Sequence, residues 1–137
     1  MTTKYSSKIG IEIILISYLP FIYLFYFVYK EFNLVGTIYI GVLFVFITYL
    51  LFSTIYTIDS NSKKLVVQSG FIFHQKIDIE HIKAIKKSRS WISSPALSID
   101  RIEISYNTYD SVLISPKNRE QFIQELQQIN PNIELHL

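Results

Sequence analysis

Two uninterrupted apolar stretches open the chain, Ile9 to Tyr29 and Val35 to Tyr56, and beyond them apolar and polar residues begin to alternate. Each stretch is about 21 residues, so as a helix it is roughly 31 Å long, enough to cross a hydrocarbon core of roughly 30 Å. Only Lys30 and Glu31 carry charge between them. A soluble domain cannot hide that much continuous apolar surface in so short a chain. The pattern predicts a transmembrane helical hairpin over residues 1–57, with spans of about 9–29 and 35–56, and a soluble domain over 58–137. The first apolar run exceeds that of a signal peptide, and no small-x-small cleavage site follows it, so it is read as a retained span.

The alternating part predicts strands. Tyr56 to Asp59 leads through the turn residues Ser60-Asn61-Ser62 into Lys64 to Gln68, a hairpin signal. Ser69-Gly70 marks a second turn, followed by a strand from Phe71 to Ile77. Ile79, Ile82 and Ile85 mark a short turn or 3₁₀ piece that enters another strand running to Lys87. After a serine-rich loop, Ser90 to Ser98, come strands from Ile99 to Tyr106 and from Ser111 to Ile114. Ser115-Pro116 is the signal of a helix N-cap and first turn. Phe122, Ile123, Leu126 and Ile129 continue it as an apolar stripe at helical spacing, over about 116–129. The sum is a small β-barrel or bent sheet of about six to seven strands, capped by one C-terminal α-helix.

Charge and aromatic content divide at the same place. Fifteen of the 21 aromatic residues lie in residues 1–57, and nineteen of the 24 charges lie beyond them. Lys4 and Lys8 precede the first span and Lys63 and Lys64 follow the second, whereas the turn between the spans holds one positive charge, Lys30. The positive-inside bias therefore puts both termini in the cytoplasm of a two-span protein of the cell membrane. Tyr5, Tyr26, Tyr29, Phe32 and Tyr56 sit where aromatic rings anchor at the headgroup level. Glu12, the one carboxylate inside a span, is four residues from Lys8, a spacing that allows an interfacial ion pair on one helix face. Pro20 can kink the first helix. The hairpin has nothing of a pore or a transport path and reads as an anchor. The tail carries ten Lys and Arg against nine Asp and Glu, a balance that argues against nucleic acid as a partner.

Two segments carry a family resemblance: Ser93-Ser94-Pro95-Ala96-Leu97-Ser98-Ile99-Asp100-Arg101-Ile102-Glu103-Ile104, and Val112-Leu113-Ile114-Ser115-Pro116-Lys117-Asn118. Together with the order of strands and one closing helix, they resemble bacterial pleckstrin-homology-like (PH-like) domains of the membrane-anchored type. Within that family the chain resembles the group that includes small immunity proteins protecting producers from the glycosylated bacteriocin sublancin. The resemblance covers most of residues 55–130. It implies a non-enzymatic interaction module at the cytoplasmic face, binding a protein or peptide partner or the membrane surface. The sharper alternative it implies is bacteriocin immunity. The inositide pattern of eukaryotic PH domains, basic residues spread over the first two strands, is not reproduced by Lys63 and Lys64.

Candidate chemistry is sparse. His74, His81 and His136 share no zinc-binding spacing, and the chain has no cysteine to join them. Asp59-Ser60-Asn61-Ser62 begins like a calcium loop, but Lys63 replaces the next oxygen ligand and the glycine is missing, so it reads as a β-turn. No nucleophile elbow accompanies the serines. No enzyme, cofactor or metal is therefore expected. The most suggestive feature is the run Lys83, Lys86, Lys87 and Arg89, followed by Trp91. It can hold anionic lipid headgroups at the bilayer surface, each cation contributing about 1 kcal/mol, or it can be a solvated strand edge guarded by lysines. Ser94, Pro95, Asp100 and Arg101 form a second candidate, either a loop fixed by its own charges or an edge presented to a peptide.

Overall fold

The computed structural model describes residues 1–31, 33–89 and 97–137. A first strand, β1 (Thr2–Ser6), precedes two helices, α1 (Ile11–Lys30) and α2 (Leu34–Phe52). Then come β2 (Thr54–Asp59), β3 (Lys64–Ser69) and β4 (Phe73–Asp78), a 3₁₀ turn (Ile79–His81), and β5 (Ile82–Ser88). The chain ends with β6 (Arg101–Tyr106), β7 (Asp110–Ile114), α3 (Arg119–Ile129) and β8 (Glu134–His136). Among the described residues the strands form two four-stranded sheets, ordered β1-β2-β3-β4 and β7-β6-β5-β8, and no closed barrel.

Both helices are long and apolar enough to cross a membrane. Their only buried residues are Phe21 in α1 and Ile40 and Leu51 in α2, so they are not the core helices of a soluble fold. They pack as a pair through the rings of Tyr18 and Phe21 against Phe44 and through a Tyr18–Thr48 hydroxyl contact of 3.0 Å. α1 runs unbroken through Pro20. At the turn, the Asn33 side chain caps α2 by accepting from the Gly36 N–H at 3.0 Å. The second helix stops four residues short of the expected Tyr56. From Thr54 onward buried and less buried positions alternate, and the β-branched and aromatic run Thr54-Ile55-Tyr56-Thr57-Ile58 suits a pleated surface better than a helix.

The main departure from expectation is β1. Residues 2–6 pair antiparallel with β2 along their whole length, Thr2 opposite Asp59 and Ser6 opposite Ile55. The hairpin is thus an insertion between two hydrogen-bonded neighbouring strands, and both helices leave the module from the same end. Tyr5 and Tyr56, expected at the headgroup level, are cross-strand partners on the inner face and lie in the core. Alternation sends both rings inward, where they meet Phe122 of α3 at 5.2 and 6.3 Å between centroids. The shared core also takes Ile58, Leu65, Val67 and Ile77 from the first sheet and Ile85, Ile102, Ile104 and Ile114 from the second. Phe122, Ile123 and Leu126 of α3 close it.

Two further differences lie at the C-terminal end. α3 begins at Arg119, not at Pro116, because Ser115 is occupied elsewhere as a buried polar residue and the helix is entered through Asn118. Beyond α3, β8 adds to β5 in parallel, covering Ala84 to Lys86. β5 is therefore an inner strand over those residues, and its lysines do not guard an open edge there. Asn130, at the helix end, is buried and donates from Nδ2 to the carbonyls of Ile79 (2.9 Å), Ile82 (3.2 Å) and Glu80 (3.4 Å), tying α3 to the 3₁₀ turn.

Candidate functional site

The helices are rooted in the module by a cluster of small polar groups. Ser7 follows β1 and bridges to Pro116, which follows β7. Tyr56, fully buried, donates its hydroxyl to Ser7 Oγ at 3.0 Å and accepts from the Ser115 N–H at 3.2 Å. The Ser7 and Ser115 hydroxyls lie 3.1 Å apart, and Ser115 Oγ accepts from the Leu97 N–H at 3.0 Å. Backbone bonds from Lys8 N–H to Ser115 (2.6 Å) and from Gly10 N–H to Leu97 (2.8 Å) carry the lock to the first residue before α1. Burial raises the Tyr56 phenol pKa, and the bonds to Ser7 and Ser115 oppose that only in part. The phenol stays neutral and serves as both donor and acceptor.

Beside this root an open groove of about 570 Å³ runs between the start of α1 and the end of β5, lined by Lys8, Gly10, Glu12, Lys87, Arg89 and Asp100 among others. Its acidic groups are already engaged. Glu12 accepts from the Ile99 N–H at 2.7 Å and from Ser98 Oγ at 3.2 Å. Asp100 takes Arg119 at 2.8 Å and Lys8 at 3.5 Å. Partial burial raises the Asp100 pKa, but the neighbouring Arg119 and Lys8 outweigh that and hold it below its ordinary value. The expected Lys8–Glu12 pair is not made as a salt bridge: Lys8 contacts Asp100 instead and acts on Glu12 only through its charge. Helix α1 begins at Ile11, so Lys8 is not on the helix and the four-residue spacing does not bring it over Glu12. Arg101 is 5 % exposed and donates from Nε to the Ser98 carbonyl at 2.5 Å. Asp100 and Arg101 thus brace residues 97–101, while Ser94 and Pro95 lie outside the described residues.

The basic run is divided by the strand register. Lys87 stands opposite Ile102, on the core side, and reaches the mouth of the groove with Arg89 two residues on. Lys86 stands opposite Glu103 on the other face. Lys83 lies at an irregularity between Ile82 and Ala84, four residues and about 13 Å along the strand from Lys87. The groove therefore gathers Lys87 and Arg89 with Lys8, a cation from before the hairpin, and leaves Lys83 and Lys86 elsewhere. Trp91 lies outside the described residues. Nothing in the local sequence of Lys8 marks it as a neighbour of β5, since the Ser7–Pro116 bridge and the backbone bonds to Ser115 and Leu97 bring it there.

Among the described residues no group of three His, Cys, Asp or Glu side chains could hold a metal ion. The Asp59 carboxylate serves its own turn, accepting from the Asn61 N–H (3.1 Å) and Ser62 Oγ (2.7 Å).

Among the described residues, two sheets and a closing helix in this strand order are consistent with a bent-sheet PH-like module. The family model described as Bacterial PH domain matches residues 54–130, more than half of the chain, and the protein belongs to that family. The match starts at the first residue of β2, so β1 and both helices lie ahead of it. No curated protein and no solved structure matches the chain.

Proposed function

We propose that the protein is a membrane-anchored interaction module, in which the two helices span the cell membrane and the PH-like domain is held at the cytoplasmic surface with its basic groove on anionic headgroups. PH-like domains are in general non-enzymatic interaction modules, and no catalytic step is assigned to this one. One observation carries the reading: the groove holding Lys8, Lys87 and Arg89 opens beside the first turn of α1, at the level where a spanning helix leaves the headgroups. The charge bias across the hairpin supports cytoplasmic ends. A protein or peptide bound to the module at the membrane is the other partner class that the family membership allows.

The test uses the full chain in detergent with added phosphatidylglycerol or phosphatidylcholine, and native mass spectrometry to count retained lipids. Two headgroup-facing cations contribute about 2 kcal/mol together, so Lys87→Gln with Arg89→Gln should weaken phosphatidylglycerol retention roughly thirtyfold. Lys83→Gln with Lys86→Gln, on the other face and far end of the strand, should leave it unchanged. Equal loss from both pairs, or none from either, would exclude the groove as the headgroup site and direct attention to a protein or peptide partner. Bacteriocin immunity, the narrower function, is supported by the resemblance of Ser93–Ile104 and Val112–Asn118. Survival of a sensitive host expressing the protein would support it, and an unchanged killing curve would count against it.

A further inference from the structure

We infer that the tip between β3 and β4, Gly70-Phe71-Ile72, is a third membrane contact, its two apolar side chains lying among the acyl chains of the cytoplasmic leaflet beside α2. Resting on the spanning hairpin proposed above, this goes beyond it in assigning a lipid-inserting element to the PH-like domain itself. Phe71 is 73 % exposed and Ile72 64 % exposed, adjacent on a tight turn. Single exposed apolar residues need no explanation, and it is the position of this pair that gives it meaning. The Phe71 ring lies 6.2 Å from that of Phe46 and 6.4 Å from that of Tyr49, stacked at 25° on the latter. α2 ends at Phe52, so Tyr49 and Phe46 lie about 4.5 and 9 Å before its end along the axis. Phe71 thus stands alongside the last two turns of the helix, on the membrane side of the point where the helix ends.

The tip is held there. Gly70 has φ +55°, a left-handed conformation, and its N–H donates to the Ser53 carbonyl at 3.4 Å. A Cβ on Gly70 would lie 3.0 Å from Leu50 Cδ2 and 3.2 Å from Ser53 Oγ at a left-handed φ, so glycine lets the tip close on the helix end without strain or displacement of those side chains. Phe52, 73 % exposed, and Ile55, 37 % exposed, extend the apolar surface at the same end. Aromatic and aliphatic side chains at this depth match the boundary between headgroups and acyl chains, where interfacial elements bury their apolar faces. The tip belongs to the first sheet and the basic groove to the second. The module then touches the bilayer at two separated points and is restrained from turning about the hairpin.

The experiment places one tryptophan at a time in the full chain, with Trp91→Phe as background, reconstituted in phosphatidylcholine–phosphatidylglycerol vesicles. Phe71→Trp reports the tip, and Ile72→Trp repeats the reading from the neighbouring side chain. Val42→Trp reports the middle of α2, and Tyr109→Trp the turn between β6 and β7, where Tyr109 is 97 % exposed. The quenchers are lipids brominated near the ester end or near the methyl end of the chain, and aqueous iodide. The expected result is loss of emission at positions 71 and 72 with the ester-end lipid, at position 42 with the methyl-end lipid, and at position 109 with iodide alone. Iodide quenching at 71 and 72 as at 109, with position 42 still quenched by lipid, overturns the inference and leaves the hairpin standing. Shielding of 71 and 72 from lipid and iodide alike overturns it in favour of contact with a second protein surface. Absence of lipid quenching at position 42 overturns the spanning hairpin and the tip contact together.

Discussion

Replacing Tyr5 by alanine removes a side chain that is 5 % exposed, stands edge-on to Phe122, and donates its hydroxyl to Glu125 at 2.5 Å. Truncating a core aromatic ring costs about 3–5 kcal/mol. The hydroxyl is a smaller part of that: a hydrogen bond to a charged group contributes about 1.5–3 kcal/mol, and half-buried Glu125 regains water when it is lost, which places Tyr5→Phe near the lower end. The expected losses are thus about 1.5 kcal/mol for Tyr5→Phe and about 4 kcal/mol for Tyr5→Ala, against a total of about 5–15 kcal/mol for an ordinary domain. Hydrogen exchange of the full chain in detergent micelles, read by mass spectrometry on peptides covering β2, measures this directly. At about 1.4 kcal/mol per tenfold, Tyr5→Ala should speed β2 exchange by up to roughly a thousandfold where exchange follows unfolding of the module. Burial and the Glu125 carboxylate push the Tyr5 phenol up to about 12. The folded state therefore holds that proton more tightly than the unfolded chain, and the stability it contributes is present below pH 10 and is lost as pH rises from about 10 to 12. Tyr5→Phe should lack that loss. Acceleration below tenfold in Tyr5→Ala would refute the assignment of β1 as an integral strand of the module.

Three other outcomes follow from contacts of the same kind. Gly70→Ala forces an L-residue into a left-handed conformation and a Cβ against Leu50, so it should cost about 1–3 kcal/mol in thermal or chemical unfolding and speed exchange at residues 69–73 before the rest of the module. Asn130→Ala leaves the buried Ile79 and Ile82 carbonyls without the donor that ties α3 to the 3₁₀ turn, and should cost about 2 kcal/mol, whereas Asn132→Ala, which keeps that side chain, should lie within about 0.5 kcal/mol of the parent. The Asp100 pKa is held down in the folded state, so its pairing with Arg119 and Lys8 stabilises the protein above the ordinary carboxylate range and is lost as pH falls through the depressed value. Asp100→Asn should therefore melt below the parent at pH 7, with the gap closing in melts taken below about pH 4.

Local pattern made most of the elements legible. Two continuous apolar runs could only be long helices, and the alternation from Lys64 onward, with turn residues at Ser60-Asn61-Ser62 and Ser69-Gly70, placed β3 to β7 within a few residues of their ends. The stripe Phe122, Ile123, Leu126 likewise announced α3 and the face it buries. These are periodicities, set by how each backbone presents successive side chains to one face, and they need no knowledge of partners. What escaped was decided by partners. Thr2–Ser6 is mostly polar, with Tyr5 its single core position, and it is a strand because β2 offers it an edge. Glu134–His136 is exposed at all three positions and pairs only through the backbone of β5. Ser115 reads as a helix cap but sits in the lock with Ser7 and Tyr56, residues 108 and 59 positions away in the chain. The candidate site divides in the same way. The cations Lys83 to Arg89 were visible as a run, but which of them face together depended on the β5–β6 register, which turns Lys87 toward the groove and Lys86 away from it. Lys8 joins Lys87 and Arg89 because the chain leaving β1 bridges to Pro116 and bonds to Ser115 and Leu97, hydrogen bonds between distant segments that no local periodicity encodes.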